Sequence, residues 1–213
     1  MPIQADAAHQ SVELALESVS LRTGDHVGVF YRGDQERDAL VIPVVATALA
    51  ADCAVVYVCD NSEPDQVDKQ LRAADLDVDA AKERGQISLV HSTRAYLPSG
   101  CFDPAQTVGF YRDAYLDSAA RGFSTLCVIG EMSWSLRGCP GTERLLEYEA
   151  LYAQEFGSTP AITLCLYDLE RTRGEHIVDL LRLHGRVVLN GIEMHNPHVD
   201  PGFFLGGADA LRR

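Results

Sequence analysis

The sequence is poor in positive charge and has no long apolar run. Its 18 lysines and arginines face 31 aspartates and glutamates, which gives a formal net charge of −13. A surface of that sign repels phosphate backbones and anionic membranes. No stretch of about 18 apolar residues is present to span a bilayer, and the first residues lack the basic and apolar segments of a secretion signal. We therefore expect a cytoplasmic protein with neither direct nucleic-acid binding nor a membrane partner.

The sequence also lacks the common signatures of metal binding and covalent catalysis. None of its six cysteines forms a CxxC pair, and no Gly-x-Ser-x-Gly elbow is present. His195 and His198, with His184, offer only part of a metal-ligand pattern, so surface histidines are the preferred interpretation. We expect no catalytic residue, no metal and no cofactor. Four cysteines fall within apolar runs, where a reduced thiol acts as a small core side chain: Cys53, Cys59, Cys127 and Cys165.

What the sequence does contain is a regular alternation of apolar runs and helical segments. The runs are rich in β-branched residues and do not alternate with polar ones, which is typical of parallel strands covered on both faces. The dipeptide Asn190-Gly191 predicts a closing β-hairpin. These features predict an α/β fold with a mostly parallel central sheet and a C-terminal hairpin. Strands are predicted at 25–31, 53–59, 86–91, 125–129, 161–167, 186–190 and 192–195.

One domain over residues 23–201 accounts for this alternation. Residues 1–22 show weak helical periodicity and are predicted to form a helical N-terminal extension. Residues 202–213 are predicted to be a frayed tail, or to lead to a segment absent from this chain.

The junction between the first strand and the first helix, FYRGDQERDAL, does not fit a phosphate loop. Such a loop needs glycines, a lysine and a Ser or Thr for magnesium. Here Asp34, predicted as the N-cap, stands with Glu36 and Asp38 at the helix N-terminus, where carboxylates stabilise the helix dipole and repel a triphosphate. Nucleotide hydrolysis is disfavoured, although binding of a nucleotide through an unusual loop stays open as an alternative.

The strongest candidate site lies at the carboxyl ends of the predicted strands, where open α/β sheets bind ligands. Glu131 and Trp134, the only tryptophan, follow the strand at 125–129. Glu149 lies beside the apolar stripe of the next helix, at 142–156. A crevice at this edge suits a small, mostly apolar ligand with a few polar contacts. Its predicted walls are Tyr31, Trp134 and Tyr167, and its polar groups are His91, Glu131 and Asp168.

Two plainer interpretations of these residues remain open. Glu131 can be a strand-exit residue that accepts hydrogen bonds from the backbone amides of its own loop. Trp134 can anchor a loop over the core. A protein-interaction scaffold, in which the Glu131 region is only structural, is a further alternative, and a filled strand-end crevice would favour it.

Several motifs, in order along the chain, resemble the MEDS family, named for a sensory domain of methanogens and methylotrophs. The resemblance spans about residues 24–201. The motifs are Gly24-Asp25-His26, Phe30-Tyr31, Tyr96-Leu97 with Gly100-x-Phe102, Gly130-Glu131-Met132-x-Trp134, Leu145-x-x-Tyr148-Glu149, Cys165-x-Tyr167-Asp168 and Asn196-Pro197.

The resemblance implies a three-layer fold similar to RecA and KaiC-type ATPases that has lost its phosphate loop. It implies a sensor without enzymatic activity, which binds a hydrocarbon-derived signal and relays it to a protein partner such as a histidine kinase, an anti-sigma factor or a transcription regulator. It adds His26 to the ligand-binding candidates. A homodimer is also compatible with this class.

Overall fold

The computed structural model describes residues 13–16, 19–197 and 199. A seven-stranded sheet forms its centre, in the order β5-β4-β6-β7-β3-β8-β9. All neighbouring strands pair in parallel except β8 and β9, which form the predicted antiparallel hairpin. The strands of this sheet are β3 (His26–Tyr31), β4 (Ala54–Cys59), β5 (Ile87–His91), β6 (Leu126–Glu131), β7 (Ala161–Asp168), β8 (Arg186–Leu189) and β9 (Ile192–His195).

Helices cover both faces of the sheet, as right-handed crossovers between parallel strands require. They are α1 (Gly33–Ala50), α2 (Pro64–Ala73), α3 (Val78–Glu83), α4 (Ser92–Ala95), α5 (Pro104–Ala120), α6 (Leu145–Phe156) and α7 (Gly174–Leu183). Two 3₁₀ turns, Ser133–Arg137 and Thr142–Arg144, connect β6 to α6. Among the described residues, no helix is both long and apolar enough to cross a bilayer.

Alternate residues of the buried strands contribute to two separate cores. In β6, Cys127 and Ile129 pack with α1, α2 and α3, whereas Leu126 and Val128 pack with α5, α6 and α7. The second core is rich in aromatic side chains, including Tyr111 of α5 and the Tyr148, Tyr152 and Phe156 stripe of α6. This is the predicted three-layer α/β sandwich.

The prediction of a helical extension before residue 23 is wrong for its described part. β1 (Glu13–Leu16) and β2 (Val19–Arg22) form a two-stranded antiparallel sheet. Leu14 pairs with Leu21 in the register of the hairpin, and both side chains are buried in the core on the α1 side. The period-2 placement of Val19 and Leu21, which buries them on one face, overrides the weak helical pattern. Residues 1–12 and 202–213 lie outside the described residues.

The predicted N-cap of α1 is also wrong by two positions. The helix begins at Gly33, and Arg32 is its N-cap residue. The Glu36 carboxylate accepts a hydrogen bond from the Arg32 backbone N–H at 2.9 Å, which satisfies the amide of the N-cap residue. Asp34 lies in the first turn instead, where its charge still faces the positive end of the helix dipole.

Candidate functional site

Glu131, the last residue of β6, is a fully buried carboxylate that joins two strand ends. Its Oε1 accepts a hydrogen bond from the Tyr57 hydroxyl at 2.7 Å. Its Oε2 accepts two more, from the backbone N–H groups of Asp60 and Asn61, each at 2.8 Å. These amides belong to the loop after β4, whereas the sequence suggested the loop that follows Glu131 itself. The carboxylate therefore holds the loop after β4 against the end of β6.

A buried arginine, which the sequence analysis missed, completes this end of the sheet. The Arg37 side chain is fully buried, and its Nη1 lies 3.5 Å from Oε1 of Glu131. The guanidinium also donates to Asp34 at 3.0 Å, to Asp38 at 2.7 Å and to the Ser62 hydroxyl at 3.2 Å. The positive charge of Arg37 therefore lies between the first turns of α1 and the carboxylate of Glu131.

A second buried acid, Asp60, joins the loops that follow three neighbouring strands. Its carboxylate accepts hydrogen bonds from the Ser133 hydroxyl at 2.9 Å and from Nη2 of Arg137 at 2.6 Å. The Ser92 hydroxyl, just after β5, donates to the same carboxylate. Asp60 was not predicted as a site residue, yet it fixes the first 3₁₀ turn after β6 to the end of β4.

Tyr31 and Asp168, both predicted site residues, end β3 and β7 and face each other in the register of the two strands. Both are buried, and the Tyr31 hydroxyl accepts a weak hydrogen bond from the Asn61 amide at 3.4 Å. Burial, followed by the negative charges of Glu131 and Asp168, raises the pKa of Tyr31 well above its usual range. The phenol therefore stays protonated at neutral pH.

Trp134 and His91 take positions other than the predicted crevice. The Trp134 indole is fully buried and stacks on Tyr96, with ring centroids 4.6 Å apart and an interplanar angle of 16°. This is the core role that the sequence analysis kept as an alternative. His91, at the end of β5, is half-buried and places Nδ1 2.9 Å from the Thr93 hydroxyl.

The last two predicted residues, His26 and Glu149, lie on the α6 side of the sheet in what we call the interior cluster: His26, Glu149, Cys165 and His184. Nε2 of His26 lies 3.2 Å from Sγ of Cys165 and 3.3 Å from Oε2 of Glu149. Oε2 of Glu149 lies 3.7 Å from the same sulfur and 3.8 Å from Nε2 of His184. Each member comes from a different element: β3, α6, β7 and the C-cap of α7.

The histidines near the C-terminus do not form the partial metal pattern considered from the sequence. His184, expected at the surface, is fully buried in the interior cluster. His195 is exposed at the end of β9, and His198 lies outside the described residues. The expectation for His184 is wrong because the C-terminal end of α7 turns inward, over Gly28 of β3.

Hydrogen bonds define the protonation of the interior cluster. Nδ1 of His184 lies 2.8 Å from the Leu180 carbonyl, which can only accept, so Nδ1 carries the ring proton. Burial and the neighbouring His26 lower the pKa of His184 to about 4. Burial, reinforced by the Glu149 charge, raises the pKa of Cys165 well above its usual range. On the other side, the Tyr167 hydroxyl donates to Oε1 of Glu149 at 2.7 Å.

A cavity of about 130 Å³, which we call the strand-end cavity, lies at the carboxyl ends of β6 and β7. Tyr167 is the one predicted site residue among its lining side chains. Its polar lining residues are Ser133, Ser135, Thr142, Glu143, Thr172 and His176. Its aliphatic and thioether walls are Met132, Leu136, Leu145, Leu146 and Leu180.

A larger groove of about 420 Å³ lies along β5 and α5, at the other edge of the sheet. Its lining includes the charged side chains Arg94, Asp113, Asp117 and Arg121, and it extends to Gln86, just before β5. It runs along the length of β5, an edge strand, and does not include the ends of β6 and β7.

Fold and site together define the class of protein: a RecA-type α/β domain whose phosphate-binding junction is occupied by its own side chains. A solved structure, that of a KaiC-like protein from Pyrococcus horikoshii OT3, superposes with a TM-score of 0.59 at 9% identity. The match covers 78% of this chain and 72% of that one, which establishes the fold.

The chain belongs to the MEDS family. The family model, described as the MEthanogen/methylotroph, DcmR Sensory domain, matches residues 25–185. A relative, the transcriptional repressor DcmR of Methylorubrum extorquens, is 23% identical over 180 residues. That match covers 84% of this chain but only 65% of the length of the repressor. Family and relative support a sensory and regulatory role.

Proposed function

We propose that this domain senses a small, mostly apolar organic molecule, such as a hydrocarbon derivative, in the strand-end cavity. The observation that carries the proposal is the chemistry of the cavity walls. Half of the lining residues are aliphatic, thioether or aromatic, and the rest carry hydroxyls, one imidazole and the Glu143 carboxylate. The cavity lies at the sheet edge where α/β folds bind ligands. The family description as a sensory domain supports the same function.

The size of the cavity limits the ligand to a few heavy atoms. In another protein, an engineered apolar cavity of about 150 Å³ binds benzene, whereas pockets for drug-sized ligands measure roughly 300–1,000 Å³. A volume of about 130 Å³ therefore suits a molecule no larger than benzene. Hydroxyls of Ser133 and Thr172 can orient a halogen, oxygen or other polar substituent.

Nucleotide binding, the alternative, is disfavoured by the occupants of the phosphate junction. The Arg37 guanidinium fills the space between α1 and Glu131, and Asp34 and Asp38 neutralise it. A nucleotide phosphate would have to displace these ion pairs and approach uncompensated carboxylates, which is costly in a buried site.

A route from the cavity to a protein partner runs through the first 3₁₀ turn after β6. Ser133 lines the cavity, and its hydroxyl donates to the buried Asp60. Arg137, at the end of the turn, is bonded to the same acid. Leu136 of this turn is 40% exposed. A ligand that repositions Ser133 would therefore change the surface around Leu136, which a kinase, an anti-sigma factor or a transcription regulator could recognise.

Thermal unfolding in the presence of small molecules tests this proposal. A ligand that binds only the folded state raises Tm in a saturable way, and we expect this for benzene and dichloromethane. Leu136→Trp places an indole at the cavity wall and should abolish the response. Leu116→Trp, at a residue of α5 that is 51% exposed, is the matched control and should respond as the wild type does. A wild-type protein without any response, or an unchanged response in Leu136→Trp, contradicts the proposal.

A further inference from the structure

We infer that the interior cluster of His26, Glu149, Cys165 and His184 is a binding site for a divalent metal ion of the zinc class. The inference concerns residues outside the strand-end cavity and does not depend on the proposed ligand. It differs from the sequence-based expectation of no metal, because the four side chains meet only through the fold.

Four of the six separations between the ligand atoms are close to those of a tetrahedral site. These four are between 3.2 and 3.8 Å, and all four atoms lie within 4.8 Å of one another. A tetrahedron with zinc–nitrogen and zinc–oxygen bonds of about 2.0–2.1 Å and a zinc–sulfur bond of about 2.3 Å has edges of about 3.3–3.6 Å. An ion can therefore enter with small side-chain adjustments.

The protonation of His184 leaves an unpaired acceptor that points into the cluster. Because Nδ1 donates to the Leu180 carbonyl, Nε2 carries a lone pair, and it faces Oε2 of Glu149 at 3.8 Å. Nε2 is fully buried and has no hydrogen-bond partner among the described residues. Buried polar atoms nearly always have a partner, and two facing acceptors cannot satisfy each other. A cation between them satisfies both.

Two members of the cluster, His184 and Glu149, have the outer contacts of metal ligands, whereas Nδ1 of His26 has no hydrogen-bond partner among the described residues. Metal-binding histidines usually donate their other N–H to a carbonyl or carboxylate, and ligating carboxylates are hydrogen-bonded in turn. Here His184 donates to the Leu180 carbonyl, and Glu149 accepts from Tyr167 through the oxygen that faces away from the cluster. Both contacts leave Nε2 and Oε2 directed at the metal position.

The ligand set indicates the ion and its role. Two imidazoles, one thiol and one carboxylate in a tetrahedral arrangement favour zinc over calcium or magnesium, which prefer oxygen ligands. Four protein ligands leave no open position for a substrate, so the ion would be structural. It would join β3 and β7 to α6 and the end of α7. Binding requires the Cys165 thiol to lose its proton to solvent.

Metal titration of the full chain, after removal of bound metal with a chelator, tests the inference. We expect one zinc ion per chain and a rise in Tm with zinc. With Co²⁺ as the probe, we expect the intense visible bands of tetrahedral cobalt and a thiolate-to-cobalt charge-transfer band in the near ultraviolet. Cys165→Ser should lose the charge-transfer band. Cys127→Ser is the matched control, since Cys127 is equally buried in the neighbouring strand β6 but packs on the opposite face of the sheet.

His26→Gln keeps the test valid if Cys165→Ser does not fold, because the His26 side chain is 12% exposed and lies at the rim of the cluster. It should weaken zinc binding by more than the roughly 10–100-fold that loss of an outer contact costs. His195→Gln, at the exposed end of β9, should bind zinc as the wild type does. The inference is overturned if the wild type binds neither zinc nor cobalt, or if Cys165→Ser keeps the charge-transfer band.

Discussion

The Tyr167 hydroxyl donates a hydrogen bond to Oε1 of the buried Glu149, with 2.7 Å between the two oxygens. Tyr167 also lines the strand-end cavity, as does Leu180, whose carbonyl accepts from His184. Two residues therefore contact both the proposed ligand cavity and the proposed metal site. Their shared position predicts that a change at one site alters affinity at the other, and such coupling is reciprocal.

Tyr167→Phe should weaken both the fold and the metal site. Removal of the hydroxyl leaves a buried carboxylate oxygen without its donor, which costs about 1–3 kcal/mol in the free energy of unfolding. Zinc affinity should fall roughly 10–100-fold. Urea unfolding and zinc titration measure the two effects. Tyr115→Phe on α5, where the described residues provide no side-chain hydrogen bond to the phenol, should change neither quantity.

Arg37 and Glu131 should show strong energetic coupling. Glu131→Gln removes the charge that faces a buried guanidinium, and breaking such a pair costs about 3–5 kcal/mol in the free energy of unfolding. In the Arg37→Met background the same change should cost less, with a coupling energy of about 0.5–3 kcal/mol. Urea unfolding of the two single variants and the double variant gives this quantity. Additive effects would mean that the 3.5 Å separation carries no interaction.

ATP with magnesium should not be retained by this domain in equilibrium dialysis. The reason is that Arg37 fills the phosphate junction, and not only that acidic residues surround it. The double variant Asp34→Asn/Glu36→Gln removes two carboxylates but leaves Arg37 in place, so it should also fail to retain ATP. Retention by the wild type or by this variant contradicts our description of the junction.

Asp68 should make folding stability sensitive to acid. Hydrogen bonds from Lys82 and Arg72 lower the pKa of Asp68 in the folded state. A lowered folded-state pKa means that the stabilisation is complete above the unfolded-state pKa of about 3.9 and is lost as pH falls through the folded-state pKa. Asp68→Asn should therefore destabilise the protein at pH 7, and the difference from the wild type should shrink below about pH 4. Asp113→Asn, which removes no ion pair among the described residues, should show no such trend.

The large sheet could be predicted from the sequence because its strands are buried on both faces. Runs such as Cys53 to Cys59 contain no charged residue, and a parallel sheet between helix layers buries such runs on both faces. The β1–β2 hairpin could not be predicted in the same way. Its strands of four residues are too short for a two-residue period to stand out from the helical alternative.

Some residues of the candidate site could be predicted from the sequence, and others could not. Glu131 stood out because it ends an apolar strand. Arg37 could have been found, because it falls four and seven residues before Val41 and Val44 on the buried stripe of α1. The interior cluster could not be found, because it depends on the pairing of Gly28 with Cys165 across β3 and β7.

Gly28 also explains why the imidazole of His184 can reach that pairing. A Cβ atom at Gly28 would lie 3.0 Å from Cγ of His184, closer than side chains normally approach. This close contact between the His184 ring and the backbone at Gly28 produces no periodic pattern in the sequence, so it could not be predicted. The absence of a side chain at Gly28 is thus what makes room for the fourth member of the cluster.

The guanidinium of Arg37 has one more consequence for how the domain works. In this chain the cation beside Glu131 is covalently attached to α1 and never leaves. Since no nucleotide is needed to place a cation there, we expect the edge to stay assembled between signals and the response of the domain not to follow the energy charge of the cell.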